Sequence, residues 1–313
     1  GVTAKQNALD LAPILASAAT RNDETPWCSA ERNPPFDQGH LNREIVDACA
    51  DALDAGESWS GHFGIRNFDR SVGAMLAGEV ARRHGRDGLP ADRLQVRLEG
   101  TAGQSFGCWN PPGVTLSLEG DANDYVGKGM SGGRIVLTTN ESDRAHARRN
   151  VICGNACLYG ATGGELFANG QAGERFAVRN SGAQAVVEGA GHHACEYMTG
   201  GTVVIMGPFG PNLAAGMTGG ELFVLDPNKL SDRYLNREFV DAAPLEEQQF
   251  DAPRRRLKSL VSSHVSLTDS EWGRRVLDSW EMMLPNWIYI VPRNLAASNE
   301  ISQQDVPLRL VKA

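Results

Sequence analysis

Gly129-Met130-Ser131-Gly132-Gly133-Arg134-Ile135-Val136-Leu137 decides the fold, because the phrase comes back. It reads as a small or aromatic residue, Met or Ala, Ser or Thr, two glycines, then an apolar strand. Gly160-Ala161-Thr162-Gly163-Gly164-Glu165-Leu166-Phe167 is the second copy. Tyr197-Met198-Thr199-Gly200-Gly201-Thr202-Val203-Val204-Ile205 and Gly216-Met217-Thr218-Gly219-Gly220-Glu221-Leu222-Phe223-Val224 are the others. Ser181-Gly182-Ala183-Gln184-Ala185-Val186-Val187 is a weaker relative. The glycines of this phrase, Gly129, Gly132, Gly133, Gly160, Gly163, Gly164, Gly200, Gly201, Gly216, Gly219 and Gly220, are read as a structural repeat.

A second landmark runs out of phase with the first: an apolar residue, then glycine, then a small residue. It occurs around Gly100, Gly120, Gly154, Gly170 and Gly189, at spacings of 20, 34, 16 and 19. The long gap contains the polar insert Thr138 to Asn150, so it holds one turn of the repeat plus a loop. A period near eighteen residues with short β-branched runs points to a parallel β-helix of six or seven coils. Each strand would pair with its equivalent one coil up, about 4.8 Å away, giving a prism on the order of 30 Å long. Of the 35 glycines, 25 lie between Gly100 and Gly220, where corners need positive φ and close stacking.

Gly127-Lys128-Gly129-Met130-Ser131-Gly132 also matches a dinucleotide-binding fingerprint, but that motif must open a helix. Here a strand follows, so nucleotide binding is rejected. A net charge of −8 argues against nucleic acid as a main partner. The chain contains no apolar run long enough for a membrane span and no basic-then-apolar signal segment. A cytoplasmic, reduced setting is expected. The start on Gly1 rather than Met reads as a processed or partial chain. Cys28, Cys49, Cys108, Cys153, Cys157 and Cys195 are too sparse for a disulfide scaffold. Cys153 and Cys157 with His192, His193 and Cys195 lack zinc-type spacing and are read as buried thiols.

Four segments follow. Residues 1–40 are a loop-like arm; residues 41–97 are a helical lead-in to the first coil; residues 98–226 are the β-helix; residues 227–313 are helices and a tail. Leu41, Ile45, Cys49 and Leu53 form one helical stripe stopped by Gly56. Ile65 to Gly85 reads as a strand running into a helix, with Arg66, Asp69 and Arg70 as an ion-paired junction. Arg254-Arg255-Arg256 reads as a solvated or ion-paired face. Leu257, Leu260, Val261 and Val265 mark a short helix. Thr268-Asp269-Ser270-Glu271 reads as a capping box opening another, with Trp272, Val276, Trp280 and Met283 on one face and Pro285 at its end. That stripe is expected to cover the open end of the coil stack. Trp287 to Val291 is a last strand, and the tail from Asn294 is read as mobile or partner-bound.

Ile65 to Gly85, Gly103 to Gly107, Leu118 to Gly129, Gly173 to Ala183 and Cys195 to Val204 resemble, in order, the C-terminal domain of the glutamate synthase large subunit. The resemblance covers roughly residues 41–291 and extends to stand-alone subunits of glutamate-synthase-like complexes. It implies an all-β core, a right-handed parallel β-helix with flanking helices at both ends, in a structural role. It implies amidotransferase and FMN-binding synthase domains or subunits as partners, with homo-oligomerisation left open. The resemblance places FMN and an iron–sulfur cluster in those partners and no cofactor, metal or catalytic residue in this chain. The β-helical subunit of formyltransferase and formylmethanofuran dehydrogenase complexes is a second resemblance. An independent β-helix enzyme is the third reading, with Asp121, Asp124, His192, His193 and Glu196 as its candidate groups.

Overall fold

Leu94-Gln95-Val96-Arg97-Leu98 alternates with period two, and its Leu and Val side chains are buried while Arg97 is exposed. That pattern builds the first strands of a long parallel ladder in the computed structural model, which describes residues 40–293 with Asp10 and Ala12. The described elements of this ladder and its helices lie in the compact unit Gln38–Ala313. The expected arm and tail fall outside the described residues, apart from Asp10, Ala12 and His40.

In chain order the strands are β1 (Trp59–Ile65), β2 (Leu94–Ala102), β3 (Val114–Ala122), β4 (Ser131–Thr138), β5 (Val151–Cys153) and β6 (Gly163–Ala168). They continue with β7 (Gln171–Ala172), β8 (Ser181–Val187), β9 (Thr199–Ile205), β10 (Gly219–Leu225), β11 (Val240–Pro244) and β12 (Trp287–Pro292). The main path runs β1-β2-β3-β4-β6-β8-β9-β10-β12-β11. Every pairing from β1 to β10 is parallel, and β12 and β11 close it antiparallel. Seven steps of about 4.8 Å make the parallel part about 34 Å long. A side path links Ala122 to Cys153, then Cys153 to Ala172 and Ala172 to Ala190. The insert at 141–149 is a run of 3₁₀ turns, so the widest spacing is one repeat enlarged by a loop.

Register stacks like on like. Val96, Leu116, Ile135, Leu166, Ala185, Val203 and Leu222 form one inward column. Leu98, Leu118, Leu137, Ala168, Val187, Ile205 and Val224 form the next. Both belong to one continuous core. The outward column between them runs Arg97, Ser117, Val136, Phe167, Val186, Val204 and Phe223, turning from polar to apolar along the ladder.

The ladder begins at Trp59 rather than at residue 98, so the stretch read as lead-in already contains β1 and part of β2. Helix α1 (His40–Ala55) buries Leu41, Ile45, Cys49 and Leu53 in the same core, and the chain leaves it through Gly56 at φ +68°. Helix α2 (Ala74–His84) ends at Gly85, whose N–H bonds back to Ala81 O. Between β1 and α2 the junction is hydrogen-bonded, not ion-paired. The Arg66 N–H donates to Asp69 Oδ2, and Asn42 donates to Arg70 O and accepts from Gly73 N.

After the ladder come α3 (Ser231–Tyr234), α4 (Asp251–Thr268), α5 (Glu271–Asp278) and α6 (Trp280–Met283). Leu257, Leu260 and Val261 of α4 pack with Phe167, Val186, Val204 and Phe223 in a second core. The helices therefore cover the outer face of the sheet, while β12 and β11 close its edge; the expected end-cap role is corrected on both counts. The Trp272 to Met283 stripe is broken at Ser279 into α5 and α6. The capping box is also displaced. Thr268 is the last residue of α4, with its hydroxyl bonded to His264 O, and Ser270 is the cap, accepting from Gly273 N at 2.8 Å. Of the basic run, Arg254 pairs with Asp251 and Arg256 with Glu221. Among the described residues no helix is long and apolar enough to cross a membrane.

Candidate functional site

The repeat phrase is preceded in each turn of the chain by a corner of unusual backbone. Three alternate residues take positive φ: Ser105, Gly107 and Trp109 in one, Tyr125, Gly127 and Gly129 in the next. Ala156, Leu158 and Gly160 follow, then Arg175, Ala177 and Arg179, then His193, Cys195 and Tyr197, then Asn212, Ala214 and Gly216. The N–H groups of these three residues point alternately to the corners on either side. Ala177 N bonds back to Cys157 O of the preceding corner, whereas Arg175 N and Arg179 N bond forward to His192 O and Glu196 O of the next. The corner is thus hydrogen-bonded on both sides, as a central strand is. A left-handed residue with a side chain costs on the order of 1–2 kcal/mol, and these two-sided bonds offset that cost.

The Met or Ala of the phrase follows the corner: Met130, Ala161, Met198 and Met217 are fully buried. Gly129, Gly160 and Gly216 close their corners, and the paired glycines Gly132 and Gly133, Gly163 and Gly164, Gly200 and Gly201, Gly219 and Gly220 open β4, β6, β9 and β10 or lie just inside them. There the register slips, as between Gly219 and Glu221. A Cβ on Gly219 would stand 2.0 Å from Thr199 O, and one on Gly201 would stand 2.2 Å from Ala183 O. Two buried asparagines hold these bulges. Asn110 donates to Val114 O and Gly132 O, while Asn180 accepts from Gly182 N and Ala183 N and donates to Ala183 O. Sequence reading missed both; their signal is an Asn directly after the third corner residue.

The candidate catalytic groups do not converge. Asp121 accepts from the Thr101 hydroxyl at 3.0 Å. Asp124 Oδ1 accepts from Asn155 N, and Asn155 Oδ1 from Glu174 N, so each side chain ties one corner to the next. Glu174 lies 3.6 Å from His192 Nδ1 in the same column. Only His193 and Glu196 meet, at 2.7 Å, within one corner. A hydrogen-bonded His–Glu pair can orient an imidazole, but among the described residues no Ser, Thr or Cys side chain is hydrogen-bonded to it.

Cys49, Cys108, Cys153, Cys157 and Cys195 are buried free thiols. Burial pushes the Cys195 thiol well up, and Cys153 is pushed up by its hydrogen bond with Cys157 and by burial. Protonated thiols are poor nucleophiles and poor ligands. Among the described residues no three His, Cys, Asp or Glu side chains group as a metal site.

A second polar cluster joins the ladder to the helices. Glu188, just after β8, is 1% exposed and its Oε1 accepts from His264 Nε2 of α4 at 3.1 Å and from the Ser270 hydroxyl. Asn169 donates to Thr268 O close by.

Comparison with known proteins places the family model described as GXGXG motif on residues 42–293. The chain is 40% identical over 292 residues to the NADPH glutamate synthase large chain of Bacillus subtilis, covering 93% of this chain and 19% of that one. It is 41% identical to the NADH glutamate synthase of Schizosaccharomyces pombe, covering 94% and 14%. It is 43% identical to the chloroplastic ferredoxin-dependent glutamate synthase of Spinacia oleracea, covering 92% and 18%. The chain thus spans less than a fifth of the length of these relatives.

Proposed function

The chain belongs to the GXGXG-motif family, matched over residues 42–293, and on that premise we propose that it is a non-catalytic scaffold of a glutamate-synthase-type oxidoreductase. Its ladder winds as a right-handed parallel β-helix and holds amidotransferase and FMN-binding synthase parts at a fixed separation, in the cytoplasm. Those parts carry the FMN and the iron–sulfur cluster and form glutamate from glutamine and 2-oxoglutarate. This chain binds neither cofactor.

The observation that carries the reading is how the corner groups are used. Asp124 and Asn155, which a catalytic groove would present to a substrate, instead accept backbone N–H groups of the next corner. The relatives' names supply the kind of enzyme, and the small share of their length supplies the idea of a part within a larger assembly.

Size-resolved purification from the native source tests it. A large yellow assembly that contains this chain, FMN and iron–sulfur protein is expected, with no glutamate formation by the purified chain alone. A colourless species without partners, or glutamate formation by the isolated chain, sinks the proposal.

A further inference from the structure

A cavity of about 520 Å³ opens between the end of the ladder and the C-terminal helices. Met206 and Leu225 come from the ladder side, Trp272 and Met283 from α5 and α6. Trp272 has its indole N–H bonded to Met206 O at 2.7 Å, which leaves its ring faces for packing. The volume lies within the range of small-molecule sites, which combine apolar walls with a few placed polar groups.

Arg148, Glu188 and Asp226 line this cavity; Asp226 already accepts from Leu230 N and Ser231 N, which leaves two opposite charges that do not pair with each other. Glu188 is one, and its hydrogen bonds from His264 and Ser270 both run to Oε1. Its Oε2 has no donor among the described residues. Arg148 is the other, with its guanidinium 4.3 Å from the centre of the Trp272 ring. No carboxylate among the described residues stands within ion-pair distance of Arg148. A purely apolar occupant would leave the second oxygen of a buried carboxylate without a donor, which is costly. An anion would face Glu188 and a cation would face Arg148. A zwitterion satisfies both, and its apolar part would meet Met206, Leu225 and Met283.

We infer that this cavity binds a free α-amino acid with a large apolar side chain. The ammonium sits on Glu188, the carboxylate takes the Arg148 guanidinium, and the side chain lies against the methionines. The inference stands apart from the scaffold reading, since it rests on the cavity alone. Because ladder, insert and helices all contribute walls, an occupant also ties these three segments together.

Isothermal titration calorimetry of the full chain with L-methionine, L-leucine and L-tryptophan tests it. Saturable one-to-one binding by at least one is expected, with glycine inert. The N-acetyl derivative and the methyl ester of the best binder each remove one charge and should bind about tenfold or more weaker. Arg148→Ala, at an exposed position, should weaken binding by a similar factor with the melting temperature kept. Glu188→Gln should do the same, with its fold checked by thermal unfolding. No heat with any of the three up to about 10 mM, a concentration that would reveal even millimolar affinity, overturns the inference. So does equal binding by the blocked derivatives or by Arg148→Ala.

Discussion

Two ends of the same outward column behave oppositely. At β2 and β3 it carries Arg97 and Ser117; at β6, β8, β9 and β10 it carries Phe167, Val186, Val204 and Phe223. The first end keeps the in–out alternation of a sheet with one wet face. The second reads as continuous apolar runs, Ala185-Val186-Val187 and Val203-Val204-Ile205-Met206, and its outer side chains are buried under α4. The difference teaches that a parallel ladder of one register can carry two kinds of strand. What decides between them is the cover from elsewhere in the chain.

The sharpest way to break the comparison is one substitution made at both ends. Val204→Asp buries an unpaired carboxylate beneath α4 and should cost more than about 4 kcal/mol, enough to prevent folding. Ser117→Asp, beside Arg97 in the same column, should stay within about 0.5 kcal/mol in urea denaturation. Equal effects would mean that α4 does not seal the outer face. Next in size, Phe167→Ala should cost about 3–5 kcal/mol by removing a fully buried ring, while Arg97→Ala leaves the midpoint nearly unmoved. Ser270→Ala removes both a helix cap and a donor to Glu188, and a loss of about 2 kcal/mol is expected. A change below 0.5 kcal/mol, on the scale of an exposed substitution, would show that the Glu188 cluster does not anchor the helices.

Smallest at neutral pH is Tyr289→Phe. Tyr289 Oη donates to Glu221 Oε1 at 2.6 Å, worth about 1 kcal/mol. Burial, then the Glu221 charge, pushes the Tyr289 phenol far up, opposed by Arg256. The folded chain therefore keeps a proton that the unfolded chain loses near pH 10. This contribution is complete below about pH 10 and fades as pH rises beyond it. Urea midpoints from pH 7 to 11 should fall faster for the native chain than for Tyr289→Phe above pH 10; parallel curves would contradict the assignment.

The repeat phrase was legible because its paired glycines sit where the preceding backbone leaves no room for a Cβ, a demand that residue type must meet. The corners were not legible, and the reason is physical. Leu158, Ala177, Arg179 and Tyr197 hold positive φ because bonds from both neighbouring corners impose it, not because their side chains favour it. β1 was missed as a ladder strand because Trp59-Ser60-Gly61-His62-Phe63-Gly64-Ile65 lacks the phrase entirely. The Glu188 cluster was equally hidden, since its partners lie 76 and 82 positions away along the chain.

The reversed strand at the far edge has one more consequence. β12 runs against β10 from Leu222 to Leu225, and β11 beyond it ends in Pro244, which has no N–H to offer a newcomer. That edge therefore offers one donor fewer along a strand of five residues, which makes it a poorer template for an added strand. The length of the stack can change only by insertion or loss of whole repeats in its interior. The molecule is therefore a ruler with integer graduations of about 4.8 Å, terminated at one end by its own sequence.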